Sequence, residues 1–119
     1  MLLNISNHPS EFWGPKQLDA AHQYGEVTDI PFPPIPAEAT SIEIDRKVEE
    51  YLQKIRGYEH PVVMVQGEFV FTFRLVTALK KQGYTVVAGS SERVAHEEQD
   101  EKGVVRKTAV FEFQRFREY

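Results

Sequence analysis

Four short apolar runs alternate with segments long enough to be helices, and this alternation narrows the possible folds more than any other feature of the chain. The runs are residues 2–6, 26–32, 61–65 and 84–88. Strands that alternate with helices pair in parallel through right-handed crossovers. The first run, Leu2-Leu3-Asn4-Ile5-Ser6, ends in the polar stretch Asn7-His8-Pro9-Ser10. Pro15 suits the first turn of a helix and Gly25 its end, so a first helix is expected over 15–24 with Leu18, Ala21 and His22 inward. The second run is closed by Pro31, Pro33, Pro34 and Pro36, which lack the N–H that a ladder needs.

Thr40 followed by Glu43 is a capping-box signature. Ile44, Val48, Leu52 and Ile55 then recur at helical spacing up to Gly57, which gives one apolar face. The third run is continuously apolar, as suits a sheet covered on both faces. Phe69, Phe71 and Phe73 alternate like a strand. The remainder of that segment decides for a helix over 69–82: Leu75, Val76 and Leu79 keep helical spacing, Lys80 and Lys81 suit the negative end of the dipole, and Gly83 stops it. Residues 93–97 and 105–113 flank Asp100-Glu101-Lys102-Gly103, a hairpin turn. The expected fold is a single α/β domain over 1–119: a small Rossmann-like three-layer sandwich with a mostly parallel sheet of about four strands and a C-terminal antiparallel β-hairpin.

Composition excludes several functions. A net charge of −4 argues against a general nucleic-acid binder, and no DNA partner is expected. The chain has no cysteine, which rules out disulfides and cysteine metal sites and fits a cytoplasmic protein. No apolar run approaches a membrane span and no signal-peptide pattern opens the chain. The phosphate-binding patterns GxGxxG and GxxxxGK[ST] are missing. His22, His60 and His96 lack ligand spacing, and nothing in the sequence brings Asp29 and Glu68 together. No metal and no cofactor are expected.

In an open parallel sheet, ligands bind beyond the carboxyl ends of the strands. That places Asn7, His8 and Ser10 after strand one, Gln66, Gly67 and Glu68 after strand three, and Ser90, Ser91, Glu92 and Arg93 after strand four in one region. Gly67 would let a phosphate or ribose approach the N–H groups that open helix three, unless it serves turn geometry alone. Ser90, Ser91 and Arg93 combine hydroxyls with a guanidinium and suit a phosphate, although a polar turn has the same composition. His8 could act as a general acid or simply bond its own loop. The phenylalanines of helix three and the aromatic tail 111–119 exceed what one small core holds, and self-association is the alternative to burial.

The layout resembles small stand-alone CRISPR-associated proteins with a Rossmann-like, CARF-type fold, some of which are ring nucleases. Four segments carry the resemblance: Leu2-Leu3-Asn4-Ile5-Ser6-Asn7-His8-Pro9, Asp29-Ile30-Pro31-Phe32-Pro33, Val63-Met64-Val65-Gln66-Gly67-Glu68 and Gly89-Ser90-Ser91-Glu92-Arg93. The resemblance implies a homodimer that binds cyclic oligoadenylate, such as cyclic tetra-adenylate, across its two-fold axis. It implies metal-independent ring opening, in which a ribose 2′-hydroxyl attacks the adjacent phosphate. His8, Ser91 and Arg93 would be catalytic; Asn7, Ser10, Gln66, Gly67, Glu68 and Ser90 would bind the ligand. The family's basic residue after a Ser or Thr is matched by Arg93, with no Lys in that segment. A sensor without turnover and an adaptor dimer without ligand remain as alternatives.

Overall fold

The computed structural model describes Met1–Tyr119. Its sheet is organised around β1 (Leu2–Ser6), which is buried at every position. That burial is what a strand covered on both faces requires. β1 pairs in parallel with β2 (Val27–Asp29) on one edge and β3 (Val62–Gln66) on the other. β3 pairs in parallel with β4 (Val86–Gln99), and β4 pairs antiparallel with β5 (Val105–Glu118). The order is β2-β1-β3-β4-β5. The protein is thus a mixed α/β fold with a five-stranded, mostly parallel sheet ending in one antiparallel pair.

Side chains alternate across the sheet with a period of two. Leu3, Ile5, Val63, Val65 and Val86 face α2 (Ser41–Arg56) and α3 (Phe69–Lys81). Leu2, Met64 and Val87 turn the other way and pack with Trp13 and with Ala21 of α1 (Pro15–His22). Thr40 caps α2 as its sequence predicts, its Oγ1 accepting from the Glu43 amide at 3.2 Å. In α3 the strand-like phenylalanine alternation resolves by helical geometry. Phe71 is fully buried, edge-on to Phe32 and Tyr51, a burial contributing about 1.5–3 kcal/mol. Phe69 and Phe73, four residues apart, share the outer face and are exposed. In α1 the buried positions are Gln17 and Ala21, not His22, which is exposed.

The expected fourth strand and the first arm of the expected hairpin are one strand of 14 residues, so the sheet has five strands. Gly89, Ser90 and Ser91 are not a loop. β5 continues the ladder past the end of β3, and an antiparallel neighbour 25 residues away in sequence is invisible to local composition. One register shift, between Ser90 and Ser91, leaves Gln114 unpaired as a bulge on β5. The turn at 100–103 forms as expected: Asp100 Oδ1 accepts from the Lys102 and Val104 amides at 2.9 Å, and Gly103 takes φ 79°.

Beyond Gly89 this pair leaves β3 behind and runs on as a two-stranded ribbon, touched at its base by α1 through Lys16 and Gln114. The radius of gyration is 17.4 Å, with extents of 57 × 37 × 21 Å. A compact chain of this length would have about 13.5 Å. Ten residues of extended strand reach roughly 33 Å, which accounts for the excess.

Candidate functional site

Asn4 sits fully buried in the otherwise apolar β1 and organises the segment where that strand ends. Its Nδ2 donates to the His8 carbonyl at 3.0 Å and to Asp29 Oδ1 at 2.9 Å, while its Oδ1 accepts from Ser6 Oγ at 2.6 Å. Trp13 Nε1 donates to the same His8 carbonyl at 3.0 Å. A buried polar group is stable only when paired, and here the pairing fixes the backbone that presents His8.

The chain runs from β1 outward to β2 and then crosses back to β3 on the other side. The crossovers diverge between β1 and β3, which leaves a crevice at their carboxyl ends. A cavity of about 390 Å³ lies there, lined by Asn7, His8, Gln17, Gln66, Gly67 and Ser91 over Met64 and Phe113. A second cavity of about 640 Å³ shares His8, Gln17, Ser91 and Phe113 and runs out to Phe12, Lys16 and Phe111. Together they make one cleft on the α1 side of the sheet. Its inner part is lined by the His8 imidazole, by amide and hydroxyl groups and by apolar walls. Lys16 stands at its outer part, with Nζ donating to Gln114 at 3.1 Å.

The segment 90–93 does not act as one loop, because strand alternation divides it. Ser91 enters the cleft, and Arg93 lies one pleat further along the same face, opposite Phe111. Ser90 and Glu92 point to the other face, where Ser90 Oγ accepts from Arg117 at 2.5 Å. The side chains of His8 and Arg93 make no hydrogen bond or ion pair within the chain.

Other expected site residues are engaged elsewhere. Ser10 donates through its amide and hydroxyl to Asp29, at 3.2 and 3.0 Å, and lines a separate cavity with Leu18 and Glu26. Glu68 caps α3, its carboxylate accepting from the Val70 and Phe71 amides at 3.0 and 2.7 Å. The amides that an anion would use at this helix end are already taken by a carboxylate. Gly67 is small for a packing reason: a Cβ there would lie 2.3 Å from the Phe32 ring. Gln66 clasps the Gly89 backbone, accepting from its amide at 2.8 Å and donating to its carbonyl at 3.4 Å. This joins β3 to β4 just beyond their ladder. Asp29 and Glu68 serve these separate roles, and no cluster of three or more His, Asp and Glu is arranged to hold a metal.

Several contributors had no place among the expected site residues, among them Asn4, Lys16, Gln17 and Phe113. Asn4 carried a signal, a lone polar residue within an apolar strand. Gln17 carried another, a polar residue on the buried side of α1. A larger groove of about 710 Å³ lies on the opposite side, along Phe69, Phe73, Lys80 and Tyr119. It is mainly apolar. Tyr119 closes it, donating to the Val65 carbonyl at 2.6 Å, and burial pushes this phenol's pKa up. The crevice differs from this groove in that several hydrogen-bonding side chains converge on it.

No helix is long and apolar enough to cross a membrane. No curated protein and no solved structure matches the chain. Residues 1–117 match the family model described as the uncharacterized protein MJ1673 family, and the chain belongs to that family.

Proposed function

We propose that this protein binds cyclic oligoadenylate, with cyclic tetra-adenylate as the ring, and opens it without metal, as a cytoplasmic homodimer in CRISPR antiviral signalling. In this reading the sheet is a Rossmann-like, three-layer CARF-type domain. The observation that carries the proposal is the convergence of His8, Gln66 and Ser91 in one crevice, with Arg93 on the same face. Neutral amide and hydroxyl groups over Met64 and Phe113 suit the edge and face of a nucleobase. Arg93 and Lys16 further out suit phosphodiesters.

Ring opening needs no protein nucleophile. The ribose 2′-oxygen attacks the adjacent phosphorus, the bond from phosphorus to the 5′-oxygen breaks, and a 2′,3′-cyclic phosphate remains. The 2′-hydroxyl proton passes to solvent, and His8 supplies a proton to the departing 5′-oxygen. Arg93 balances the charge of the phosphorane, and Ser91 holds a phosphate oxygen in line for attack. Binding without turnover is the second reading. It is favoured by the position of Arg93 on the ribbon, one pleat beyond Ser91.

The test is calorimetric titration with cyclic tetra-adenylate, followed by product analysis with and without EDTA. Arg93→Ala should weaken binding roughly ten- to hundred-fold, as loss of a charge-assisted contact does. Ser91→Ala should cost about two- to tenfold. Both variants should melt with the parent, and cleavage should persist in EDTA. A parent that binds no cyclic oligoadenylate ends the reading. An Arg93→Ala variant that binds as the parent does removes Arg93 from the site.

A further inference from the structure

We infer that the free edge of β5 is a self-complementary interface, and that two copies of this chain pair antiparallel about Ala109 into one continuous sheet. β5 is the last strand in the sheet order, so its outer edge offers unpaired backbone groups. Edge strands are normally blunted by proline, bulges, very short length or charge. Residues 105–113 have no proline and no bulge, the single bulge lying beyond them at Gln114, and their charges, Arg106, Lys107 and Glu112, are of both signs and so can pair between two copies. Every residue from 105 to 112 is exposed, including Val105, Val110 and Phe111. A lone two-stranded ribbon is marginal in water, so this one calls for a partner.

The sequence says which partner. Antiparallel pairing with Ala109 on the two-fold axis sets Thr108 opposite Val110, Lys107 opposite Phe111, Arg106 opposite Glu112 and Val105 opposite Phe113. Facing residues lie on the same side of the sheet. The axis therefore passes between two small side chains and is flanked by β-branched pairs. Next come a cation over an aromatic ring, an ion pair and an apolar contact. The arrangement also answers a feature unexplained within one chain. Glu112 lies directly across the ladder from Glu92, a like-charge pair, and no cation is within ion-pair distance of either. The partner's edge would bring a guanidinium to that place. The interface stands apart from the ligand reading, because its contacts need no nucleotide.

The chain has no cysteine, which allows a clean trap. Facing Cα atoms in an antiparallel pair are about 4.5–5.5 Å apart, within disulfide range. Ala109→Cys should therefore cross-link to dimer under mild oxidation. Ala95→Cys, opposite Ala109 on the inner strand of the ribbon, should not. Sedimentation velocity supplies the second measurement. Glu112→Arg should weaken the parent dimer about tenfold or more, since each axis-related pair changes from attraction to repulsion. It should leave the melting temperature unharmed, because the new cation faces Glu92 within its own chain. Adding Arg106→Glu to that variant should restore association to near the parent value. A parent that is monomeric at micromolar concentration overturns the interface. Equal cross-linking of the two cysteine variants, or a dimer indifferent to Glu112→Arg, overturns the register.

Discussion

Gly67→Ala should destabilise the protein, and the cause should be a single aromatic ring. The Cβ of an alanine at this position would lie 2.3 Å from two atoms of the Phe32 ring and 2.7 Å from a third. The ring has little freedom to retreat, since it packs edge-on to the fully buried Phe71 with centroids 5.2 Å apart. Overpacking of this kind costs about 1–3 kcal/mol. For a chain of 119 residues, the entropy of unfolding is roughly 250 cal/mol/K, so each kcal/mol moves the midpoint by about 4 °C. Calorimetry should then place the Gly67→Ala variant about 4–12 °C below the parent. Gly67 is not among the glycines with positive φ, so its backbone tolerates alanine. In a Phe32→Ala background the same substitution should reverse sign and stabilise by about 0.4–1 kcal/mol, through lower entropy of the unfolded chain. A phosphate-approach role would instead predict weakened ligand binding at unchanged stability. Equal midpoints for parent and Gly67→Ala, or the same deficit in both backgrounds, would refute the packing argument.

Asn4→Ala should cost about 1–3 kcal/mol in denaturant unfolding, because it strands buried partners of the amide; a midpoint equal to the parent would show that water replaces the lost bonds. The phenols of Tyr51 and Tyr119 are both raised above 10.0, chiefly by burial. The sign follows from linkage: above the unfolded value the unfolded chain releases these protons first, so their stabilisation is complete below pH 10 and is lost as pH rises through the raised values. Unfolding free energies measured across that range should fall less steeply in the Tyr51→Phe, Tyr119→Phe double variant. That variant should also lose about 0.5–1.5 kcal/mol per hydrogen bond at neutral pH, since Tyr51 donates to the Pro31 carbonyl and Tyr119 to the Val65 carbonyl.

What could be read from the sequence was what local chemistry encodes. The Thr40 cap, the apolar face of α2 and the turn at 100–103 each depend on residues within one or two turns of chain. The crevice was legible at the level of topology, since the strand ends after β1 and β3 meet wherever crossovers diverge. What could not be read depends on partners far away in sequence. Ser90 and Ser91 have loop composition and become strand only because Arg115 and Phe113 pair with them. Gly67 resembles a ligand-binding glycine until Phe32, 35 positions earlier, is placed against it. Ser10 and Glu68 had the right chemistry for a site but found nearer partners, Asp29 and the amides of α3.

β4 is one strand with two environments. At Val86 and Val87 it has a neighbour on either edge, β3 on one side and β5 on the other. From Ser91 to Gln99 it has β5 alone. Successive amides in a strand point to opposite edges, so in this outer stretch every second proton is held in the ladder and the one between faces water. Deuterium uptake along 91–99 should therefore alternate residue by residue, slow then fast, while Val86 and Val87 exchange slowly together. The same alternation should run along β5 in an isolated chain. If two copies join at that edge, the fast amides of β5 become slow, and those of β4, on the far side of the ribbon, continue to exchange as before.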